Sequence, residues 1–422
     1  MIVPRHRLDV SVPDLVFALG AAIGARDPDR RAARIAAAWA GSDEALACSS
    51  VRAGLDCLLS ALDLAPGDDV LVSAVTHPDM PRIVALHGLV PVPVDIDLAA
   101  TAPRVESLEG AVTPRTRAIL VAHLFGARFD LEEVESFARR HSLLLIEDCA
   151  QTIQGATDAG DPRADVSLYS FGSIKTATAL GGALVRVRDP GLLARMRGLE
   201  ASWPRQPRRE HALKALKYVG LVLLDRPLPY TALTSVARLA RLDLDRFVST
   251  TVRAFRARPG EDEDAAFARW LRRRPSAPLV ALLERRLRRF DTARLDRRRR
   301  AGELVAAGLP HELERPGSGL ADSTFWVFPV VAREPDRLIR TLREAGFDAT
   351  RGTSAIGVVE PPADRRNLNP SEARRLMAGI VFLPVYPEIS QKALERLVET
   401  IRRAEAAPAP PLVASGATKA TV

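Results

Sequence analysis

The sequence predicts an α/β fold, with a large domain built on a mainly parallel sheet, a helical region, and a smaller α+β domain towards the C-terminus. Three observations support this prediction. From residue 46 to about residue 190, short apolar β-rich runs alternate with helical periods, which is typical of a parallel sheet covered on both faces. Residues 191–300 show helical periods alone, and strand and helix patterns return after residue 300.

The elements of the large domain follow in order along residues 1–190. Residues 1–45 contain two amphipathic helices, VPDLVFALGAAI and RRAARIAAAW. Five strands separated by helices are then expected at ALACSS, VLVSAV, VPVPVDID, AILVAHLF and SLLLIEDC. Right-handed crossovers place the carboxyl ends of such strands on one edge of the sheet, where ligands bind.

The rest of the chain divides into three parts. Residues 191–300 are expected to be helical, with Pro-rich breaks. A small α+β domain is expected over residues 301–406, with strands in TFWVFPVVA and GIVFLPVY and helices in EPDRLIRTLREAG and QKALERLVETIRRA. The tail, residues 407–422, lacks apolar periodicity and is expected to be disordered.

Composition places the chain among soluble globular proteins. It has 422 residues, of which 47% are hydrophobic and 27% charged. No apolar run approaches the roughly 20 residues that a membrane span needs. The three cysteines lie in apolar segments without a pairing pattern, and there is no signal peptide, so a cytoplasmic location is expected.

The positive charge is concentrated in one region. The formal net charge is +8, and residues 201–300 hold 25 Lys and Arg against 11 Asp and Glu. Such a surplus indicates either an anionic partner or solvated helix faces. The partner could be a phosphorylated substrate, a membrane surface or nucleic acid. Aromatic residues are not interleaved with these cations and no known module is present, so nucleic-acid binding is not expected.

A carboxylate and a lysine stand where cofactor chemistry would need them. Asp148 closes the apolar run LLLIEDC, and Lys175 follows the next apolar run in YSFGSIK. A lysine amine can form a Schiff base with an aldehyde, and a carboxylate can keep a pyridine nitrogen protonated. This pair therefore predicts pyridoxal 5′-phosphate as the cofactor. No metal site is expected.

Other polar residues at strand ends could contact the same cofactor. Ser50 and Arg52 open a helix after the first strand, where a phosphate could bind, although Ser50 could be a plain N-cap. Ser170 could also reach the phosphate. His77 could stack on the cofactor ring or be a helix cap, and Gln151 could donate to the ring's phenolic oxygen.

Several motifs together closely resemble the DegT/DnrJ/EryC1/StrS family of pyridoxal-phosphate-dependent sugar aminotransferases. They are LAPGDDVLVSAVTHPDMPRIVALHGLVPVPVDID, TPRTRAILVAHLFGARFDLEEV, LLLIEDCAQ, SFGSIKTATALGGAL and LPVYPEIS. The resemblance covers residues 46–190 and resumes from about 274 to 400. It implies the aspartate-aminotransferase-like fold (fold type I), with the cofactor bound by the large domain.

The resemblance also implies roles for individual residues. Lys175 would be the Schiff-base lysine and the general acid–base, and Asp148 would pair with the pyridinium nitrogen. Gln151 would touch the phenolic oxygen, Ser170 would bind the phosphate, and His77 would take the ring-stacking place. Because related dehydratases replace this lysine with histidine, Lys175 disfavours that activity.

The phosphate loop and a neighbouring-subunit segment depart from the family pattern. Ser50, Val51 and Arg52 fall where the family has a Ser-Gly-Thr loop, so Val51 and Arg52 are departures, with Arg52 the stronger phosphate partner. Arg274 and Ser276 keep two places of a segment that a second subunit offers to the cofactor, but its asparagine is absent. The resemblance therefore implies a homodimer in which Arg274 reaches the partner's site.

The resemblance implies an aminotransferase of polysaccharide or secondary-metabolite biosynthesis. Glutamate would supply the amino group, and a keto-sugar, most often nucleotide-linked, would accept it. Two alternatives stay open: a pyridoxal-phosphate enzyme for another keto substrate, lipid-linked or close to a membrane, and a low-turnover regulatory protein that binds the cofactor.

An insertion at about residues 205–265 separates the two regions of resemblance. Its residues 212–256 place apolar side chains at helical spacing with Lys and Arg between them. We expect a helical subdomain that covers the active-site mouth or the dimer edge. The alternative is peripheral contact with the inner surface of an anionic membrane.

Overall fold

A seven-stranded mixed sheet organises the N-terminal half of the chain. The computed structural model describes residues 1–40, 44–240, 255, 260–352 and 355–406. The strands of this sheet are β1 (Ala45–Cys48), β2 (Asp69–Ser73), β4 (Val90–Val94), β5 (Thr116–Ala122), β6 (Leu144–Asp148), β7 (Val166–Ser170) and β8 (Ala183–Val187). A short strand, β3 (Val75–Thr76), lies outside it.

The sheet is mainly parallel, as the sequence predicts. Its order is β1-β8-β7-β6-β5-β2-β4. The pairs β2–β4, β2–β5, β5–β6 and β6–β7 are parallel, whereas β8 runs antiparallel to both β7 and β1. Because β1 and β7 are each antiparallel to β8, the carboxyl ends of β1, β6 and β7 lie on the same edge.

Helices cover both faces of this sheet. The helices of this half are α1 (Val12–Gly24), α2 (Pro28–Ala40), α3 (Val51–Leu62), α4 (Asp79–Leu86), α5 (Val105–Ala111) and α6 (Glu132–Arg140). Along β2, Val70 and Val72 pack in the core that contains α3, while Leu71 between them packs in the core that contains Leu108 of α5 and Phe137 of α6. This alternation is the two-residue period of a strand buried on both sides.

The middle of the chain is helical where the structure describes it. It contains α7 (Pro190–Ser202), α8 (Arg208–Leu224), α9 (Pro227–Leu239), α10 (Glu263–Leu271) and α11 (Ala277–Arg288). Helix α8 packs against α1 and α11. Residues 241–254 and 256–259 of the expected insertion lie outside the described residues. The predicted disordered tail, residues 407–422, also lies outside them.

The C-terminal part combines helices with short antiparallel strand pairs. Its elements are α12 (Thr292–Gly308), β9 (Phe328–Val331), α13 (Pro335–Glu344), β10 (Gly357–Val358), α14 (Ser371–Gly379), β11 (Ile380–Leu383) and α15 (Gln391–Ala406). Strand β9 pairs with β11, and β10 pairs with β3 of the N-terminal half. A separate core of apolar residues from α12, α13, α15, β9 and β11 holds this part together.

Candidate active site

The site residues meet where several strands end. Asp148 is the last residue of β6, Ser170 is the last residue of β7, and Lys175 lies in the loop between β7 and β8. Ser50 follows β1 and is the N-cap of α3. The strand directions place these ends on one edge of the sheet, which is where a ligand of such a sheet binds. The loop of residues 171–182 is called the lysine loop below.

Lys175 is held against an aromatic ring. Its Nζ lies 4.0 Å from the centroid of the Trp326 ring, within the range of a cation–π contact. Trp326 is itself held by its Nε1, which donates to the carbonyl oxygen of Ile174 over 3.0 Å. Burial lowers the pKa of Lys175 to about 8, the Arg52 charge acts in the same direction, and the Asp148 carboxylate opposes them. A larger fraction of this amine is therefore neutral, and hence nucleophilic, near neutral pH than in an ordinary exposed lysine.

Asp148 is a buried carboxylate with a cation nearby. Burial raises its pKa, whereas the Ala150 N–H and the Lys175 charge lower it. The Ala150 N–H donates to Oδ1 over 2.9 Å. The neighbouring Glu147 faces the other way, where it pairs with His123 and accepts from Ser167. Asp148 is thus the carboxylate of this strand that can meet a protonated ring nitrogen at the sheet edge.

Gln151 is oriented by the backbone. Its Oε1 accepts from the N–H of Phe125 over 2.8 Å, and Phe125 has a positive φ of 61°. Since a backbone N–H can bond only to the amide oxygen, the NH₂ group of Gln151 remains available as a donor. A donor in this place can bind a phenolate oxygen.

The predicted phosphate-binding residues lie at the N-terminus of α3 and the end of β7. Ser50 is the N-cap of α3, and its Oγ accepts from the Ala53 N–H over 3.1 Å. The alternative role of a plain helix cap therefore also fits Ser50. Val51 is buried as the first residue of the helix. Ser170 is partly buried, and its Oγ accepts a long 3.3 Å hydrogen bond from the Gly172 N–H. A hydroxyl that accepts one bond still has its own hydrogen to donate.

Arg52 places a guanidinium at the N-terminus of α3. Its Nη1 lies 2.6 Å from Oδ2 of Asp79, and its guanidinium lies 4.8 Å from the centre of the Trp270 ring. The Arg52 charge lowers the pKa of both His77 and Lys175, so the three side chains share one electrostatic environment. A partly buried guanidinium beside a helix N-terminus favours a phosphate group.

His77 is a neutral imidazole in this environment. Burial lowers its pKa to about 4, the Arg52 and Lys175 charges act in the same direction, and Asp79 opposes them. Its Nδ1 accepts from the Asp79 N–H over 3.2 Å. An uncharged ring of this kind can pack on the face of a planar ligand without an added positive charge.

Arg274 does not lie with the candidate site residues around Lys175 of its own chain. Its Nη2 lies 2.6 Å from Oδ1 of Asp29, and its Nε lies 3.4 Å from Oε2 of Glu200. These partners belong to α2 and α7, outside the group of residues around Lys175. Reach into a partner's site stays a prediction for Arg274.

Helix α8 supplies residues that sequence reasoning did not assign to the site. His211 Nε2 donates to the Ala179 carbonyl oxygen over 3.0 Å, and Tyr218 hydrogen-bonds to Ser173, so α8 lies over the lysine loop. Lys214 lies between these two contacts on the helix. Burial lowers its pKa to about 8, and the charges of Arg52 and then Lys217 act in the same direction. Arg52 is therefore close to Lys214 as well as to Lys175.

The sequence contains a pattern that could have pointed to Lys214 but none that could have pointed to Trp326. His211, Lys214 and Tyr218 are spaced i, i+3 and i+7, which puts them on adjoining parts of one helical face. That spacing could have indicated a face turned towards the protein, although not which loop it covers. Trp326 lies in an apolar run whose pattern predicts only a strand.

The residues present fit pyridoxal phosphate. The cations Arg52, Lys175 and Lys214 outnumber the carboxylates Asp79 and Asp148, so the edge favours a phosphate anion. The same edge offers a lysine of lowered pKa, a buried carboxylate for a ring nitrogen, and an oriented amide. Each functional group of the cofactor thus has a chemically suitable partner.

Sequence comparison finds relatives of the N-terminal half. Residues 30–218 match the model of the DegT/DnrJ/EryC1/StrS aminotransferase family. The GDP-perosamine synthase of Caulobacter vibrioides is 35% identical over 162 residues, which are 38% of this chain and 43% of that protein. The matched segment therefore spans less than half the length of that relative.

Comparison with solved structures extends the likeness of fold over nearly all of the chain. The aminotransferase TlmJ from Streptoalloteichus hindustanus superposes with a TM-score of 0.67 at 21% identity, covering 96% of this chain and 99% of that one. The sugar aminotransferase CalS13 from Micromonospora echinospora gives 0.67 at 20% identity, covering 95% and 100%. The predicted fold type I architecture is confirmed. Residues 30–218 carry Lys175 and every other candidate site residue except Arg274, so the segment that matches the DegT/DnrJ/EryC1/StrS aminotransferase family contains nearly all of the candidate site.

Proposed function

We propose that this protein is a pyridoxal-phosphate-dependent aminotransferase that transfers an amino group to a keto-sugar. One observation carries the proposal: the Lys175 amine, with its lowered pKa, lies in the electrostatic range of the buried Asp148 carboxylate at the sheet edge. The family match of the segment that holds both residues supports it. So does the activity named for the relative, GDP-perosamine synthase.

Four parts of the cofactor would each be held by residues of this site. Asp148 would pair with its ring nitrogen, the NH₂ group of Gln151 would donate to its phenolic oxygen, and the His77 imidazole would pack on its ring. Ser50, Arg52, Ser170 and the N-terminal amides of α3, of which Val51 is the first residue, would bind its phosphate, joined by Lys214 from α8. When bound, pyridoxal phosphate supplies an electron sink for the carbanion that amino transfer requires.

Lys175 would hold the cofactor covalently and then act as the general acid–base. Its Nζ needs a neutral form to attack and a protonated form to return a proton. A pKa of about 8 makes both forms accessible near neutral pH. The Trp326 ring stabilises the protonated form through its face and limits where the amine can move. Arg298 connects the lysine loop with the segment that carries Trp326. Its side chain donates to the Thr176 hydroxyl and to the Thr324 carbonyl oxygen.

Glutamate as amino donor and a nucleotide-linked keto-sugar as acceptor complete the proposal. The protein would act as a homodimer in the cytoplasm. Residues 212–256 would cover the active-site mouth or the dimer edge, and peripheral membrane contact is the alternative. Another keto substrate, including a lipid-linked one, and a low-turnover cofactor-binding protein are the competing functions.

The test is a transamination assay on the full chain loaded with pyridoxal phosphate. Glutamate is supplied with a panel of nucleotide-linked keto-sugars, and both 2-oxoglutarate and the amino-sugar product are measured. We expect stoichiometric formation of the two products with at least one keto-sugar, and neither product with Lys175→Ala. Cofactor absorbance without turnover on any sugar or other keto acid would favour the regulatory alternative.

A further inference from the structure

Exposed apolar side chains are concentrated on α8 and α9. Among the described residues, eleven large hydrophobic side chains are exposed, and seven of them lie on these two helices: Leu213, Leu216, Leu223, Leu224, Leu228, Val236 and Leu239. Soluble monomers rarely expose a contiguous apolar surface, so such a concentration indicates an interaction site. The seven side chains are called the α8–α9 stripe below.

The stripe on α8 points away from the protein. The residues that α8 buries are His211, Ala215, Tyr218 and Val222, spaced four, three and four apart. At about 100° per residue, Leu213, Leu216, Leu223 and Leu224 lie on roughly the opposite side of the helix. One side of α8 therefore covers the lysine loop, and the other presents leucines to the surroundings.

Helix α9 repeats this arrangement. Tyr230 and Ala237 lie on its packed side, where the Tyr230 hydroxyl bonds to Asp348. Leu228, Val236 and Leu239 lie at helical spacing on roughly the opposite side, and Leu228 and Leu239 are 74% and 88% exposed. Only Asp225 and Arg226 separate the two helices, and Asp225 is tied to the N-terminal segment through Arg7 and the Leu8 N–H. The stripe is therefore carried by two helices that the body of the protein holds in place.

The charges beside the stripe are mostly positive. Arg209, Lys217 and Arg226 are exposed on these helices or at their junction. The two carboxylates of this region are already engaged, Glu210 with Arg273 and Asp225 with Arg7. An apolar stripe flanked by cations on a helix is the pattern that favours the interface of an anionic bilayer.

We propose that α8 and α9 dock this protein on the surface of an anionic lipid bilayer. The helices have 17 and 13 residues, and no helix in the described part of the chain is long and apolar enough to cross a membrane. They would therefore lie in the interface with the leucines in the acyl boundary and the cations among the headgroups. This surface is additional to the proposed catalytic function and does not depend on it.

A second copy of the chain fits this surface less well. In a two-fold contact the same patch meets itself, so exposed cations such as Arg209 and Lys217 would approach their own counterparts. Like charges across an interface oppose association, whereas anionic headgroups complement them. Docking would also hold the lysine loop about one helix diameter, ~10 Å, from the membrane surface, because α8 lies between them.

Vesicle flotation of the full chain tests the proposal. Vesicles of phosphatidylcholine alone are compared with vesicles that contain about one third phosphatidylglycerol, in low and in high salt. We expect flotation with the anionic vesicles in low salt, and at least about tenfold less in high salt or without phosphatidylglycerol. Absence of flotation with anionic vesicles in low salt would overturn the proposal.

Two sets of variants separate the apolar and the electrostatic contributions. Leu216→Gln with Leu223→Gln and Leu228→Gln removes apolar contact, and Arg209→Glu with Lys217→Glu reverses charge. Each set should reduce flotation at least about tenfold, with an unchanged thermal unfolding temperature because all five positions are exposed.

Arg340→Glu with Lys392→Glu is the matched control, since both residues are exposed on α13 and α15. This control pair should float like the wild type. Equal loss of flotation in the control pair, or wild-type flotation by the leucine variant, would overturn the assignment to α8 and α9. So would a leucine variant that changes only the sedimentation coefficient, which would instead identify a contact between copies.

Discussion

Burial and the Arg52 charge lower the pKa of Lys175 to about 8, while Asp148 opposes them. Only the neutral amine attacks an aldehyde, so covalent capture of pyridoxal phosphate by the apo-protein should speed up as pH rises through about 8. Arg52→Met removes a charge that favours the neutral amine and should move this midpoint to higher pH. Stopped-flow absorbance across a pH series measures it. A wild-type midpoint near that of an ordinary lysine would contradict the prediction.

Asp148 should matter for turnover more than for folding. Asp148→Asn keeps the size of the side chain but cannot balance a protonated ring nitrogen, so turnover should fall by about two orders of magnitude or more. Asp336→Asn on the exposed start of α13 is the control and should keep wild-type turnover. Steady-state kinetics and thermal unfolding are measured for both variants. A well-folded Asp148→Asn protein with near wild-type turnover would exclude the role proposed here.

Lys214 should discriminate between ligands with and without a phosphate. If it contacts the cofactor phosphate, Lys214→Ala should weaken the binding of pyridoxal phosphate by about tenfold, on the scale of one charge-assisted hydrogen bond. The binding of pyridoxal, which lacks the phosphate, should change little. Arg209→Ala, which removes an exposed cation of the same helix, is the control. Equal weakening of both ligands would show that Lys214 acts through the lysine loop instead.

The residues of the site differ in how far the sequence could predict them. Lys175 and Asp148 follow strands whose pattern is plain, so their position at the sheet edge is a consequence of local order. Trp326 comes from the far end of the chain and meets Lys175 only through the packing of the C-terminal part. The partner of Lys214 likewise depends on how α8 crosses the lysine loop, which spacing along a helix does not encode.

Strands also differ in how far the sequence could predict them, because their pairing depends on packing as well as on local order. The run VLVSAV predicts one strand, but the structure divides it at Ala74 into β2, which joins the main sheet, and β3, which pairs with β10. A two-residue period cannot show that a strand changes partners. The antiparallel direction of β8 was also not predicted. It follows from the lysine loop, which has no helix of its own with which to return the chain for a parallel pairing.

Gly126 holds together the elements that support Lys175. Its φ is +99°, and a Cβ there would lie 2.4 Å from the Trp326 backbone N and 2.7 Å from the Thr324 hydroxyl. Gly126→Ala should therefore destabilise the fold by at least about 2 kcal/mol, since both the backbone strain and the overpacking oppose it. Gly110→Ala is the control, because nothing lies within 4 Å of a Cβ at that position of α5. Denaturant unfolding measures both, and equal stability of the two variants would contradict the prediction.

At the scale of the whole molecule, the positive surplus of residues 201–300 is not all available to a partner. Arg285 and Arg286 pair with Asp14 of α1, and Arg294 pairs with Asp9 and Glu388. These cations join the helical region to the N-terminal segment. Net charge along the sequence predicts a basic region, but only the fold shows which of its cations join elements together and that Arg209, Lys217 and Arg226 are exposed beside the α8–α9 stripe.

In the proposed homodimer, Arg274 would reach the active site of the partner subunit. In its own chain Arg274 pairs with Asp29 and Glu200, away from Lys175. Substitution of Arg274 should therefore leave the site residues around Lys175 of the same chain undisturbed. Lys175→Ala and Arg274→Ala should each have little activity as pure dimers. Mixed dimers should regain activity, because one of their two sites combines an intact Lys175 with an intact Arg274.

Subunit exchange between the two variants measures this complementation. Random mixing should restore about a quarter of wild-type activity, since half of the dimers are hybrids and each has one complete site. Arg273→Ala, which changes the adjacent residue and its pair with Glu210, is the control and should keep its activity without mixing. If Arg274 instead serves the site of its own chain, the hybrids stay inactive. The only site of a hybrid with an intact Lys175 then lies in the chain that lacks Arg274. Absence of recovery in a mixture shown to contain hybrid dimers would therefore overturn the assignment of Arg274 to the partner's site.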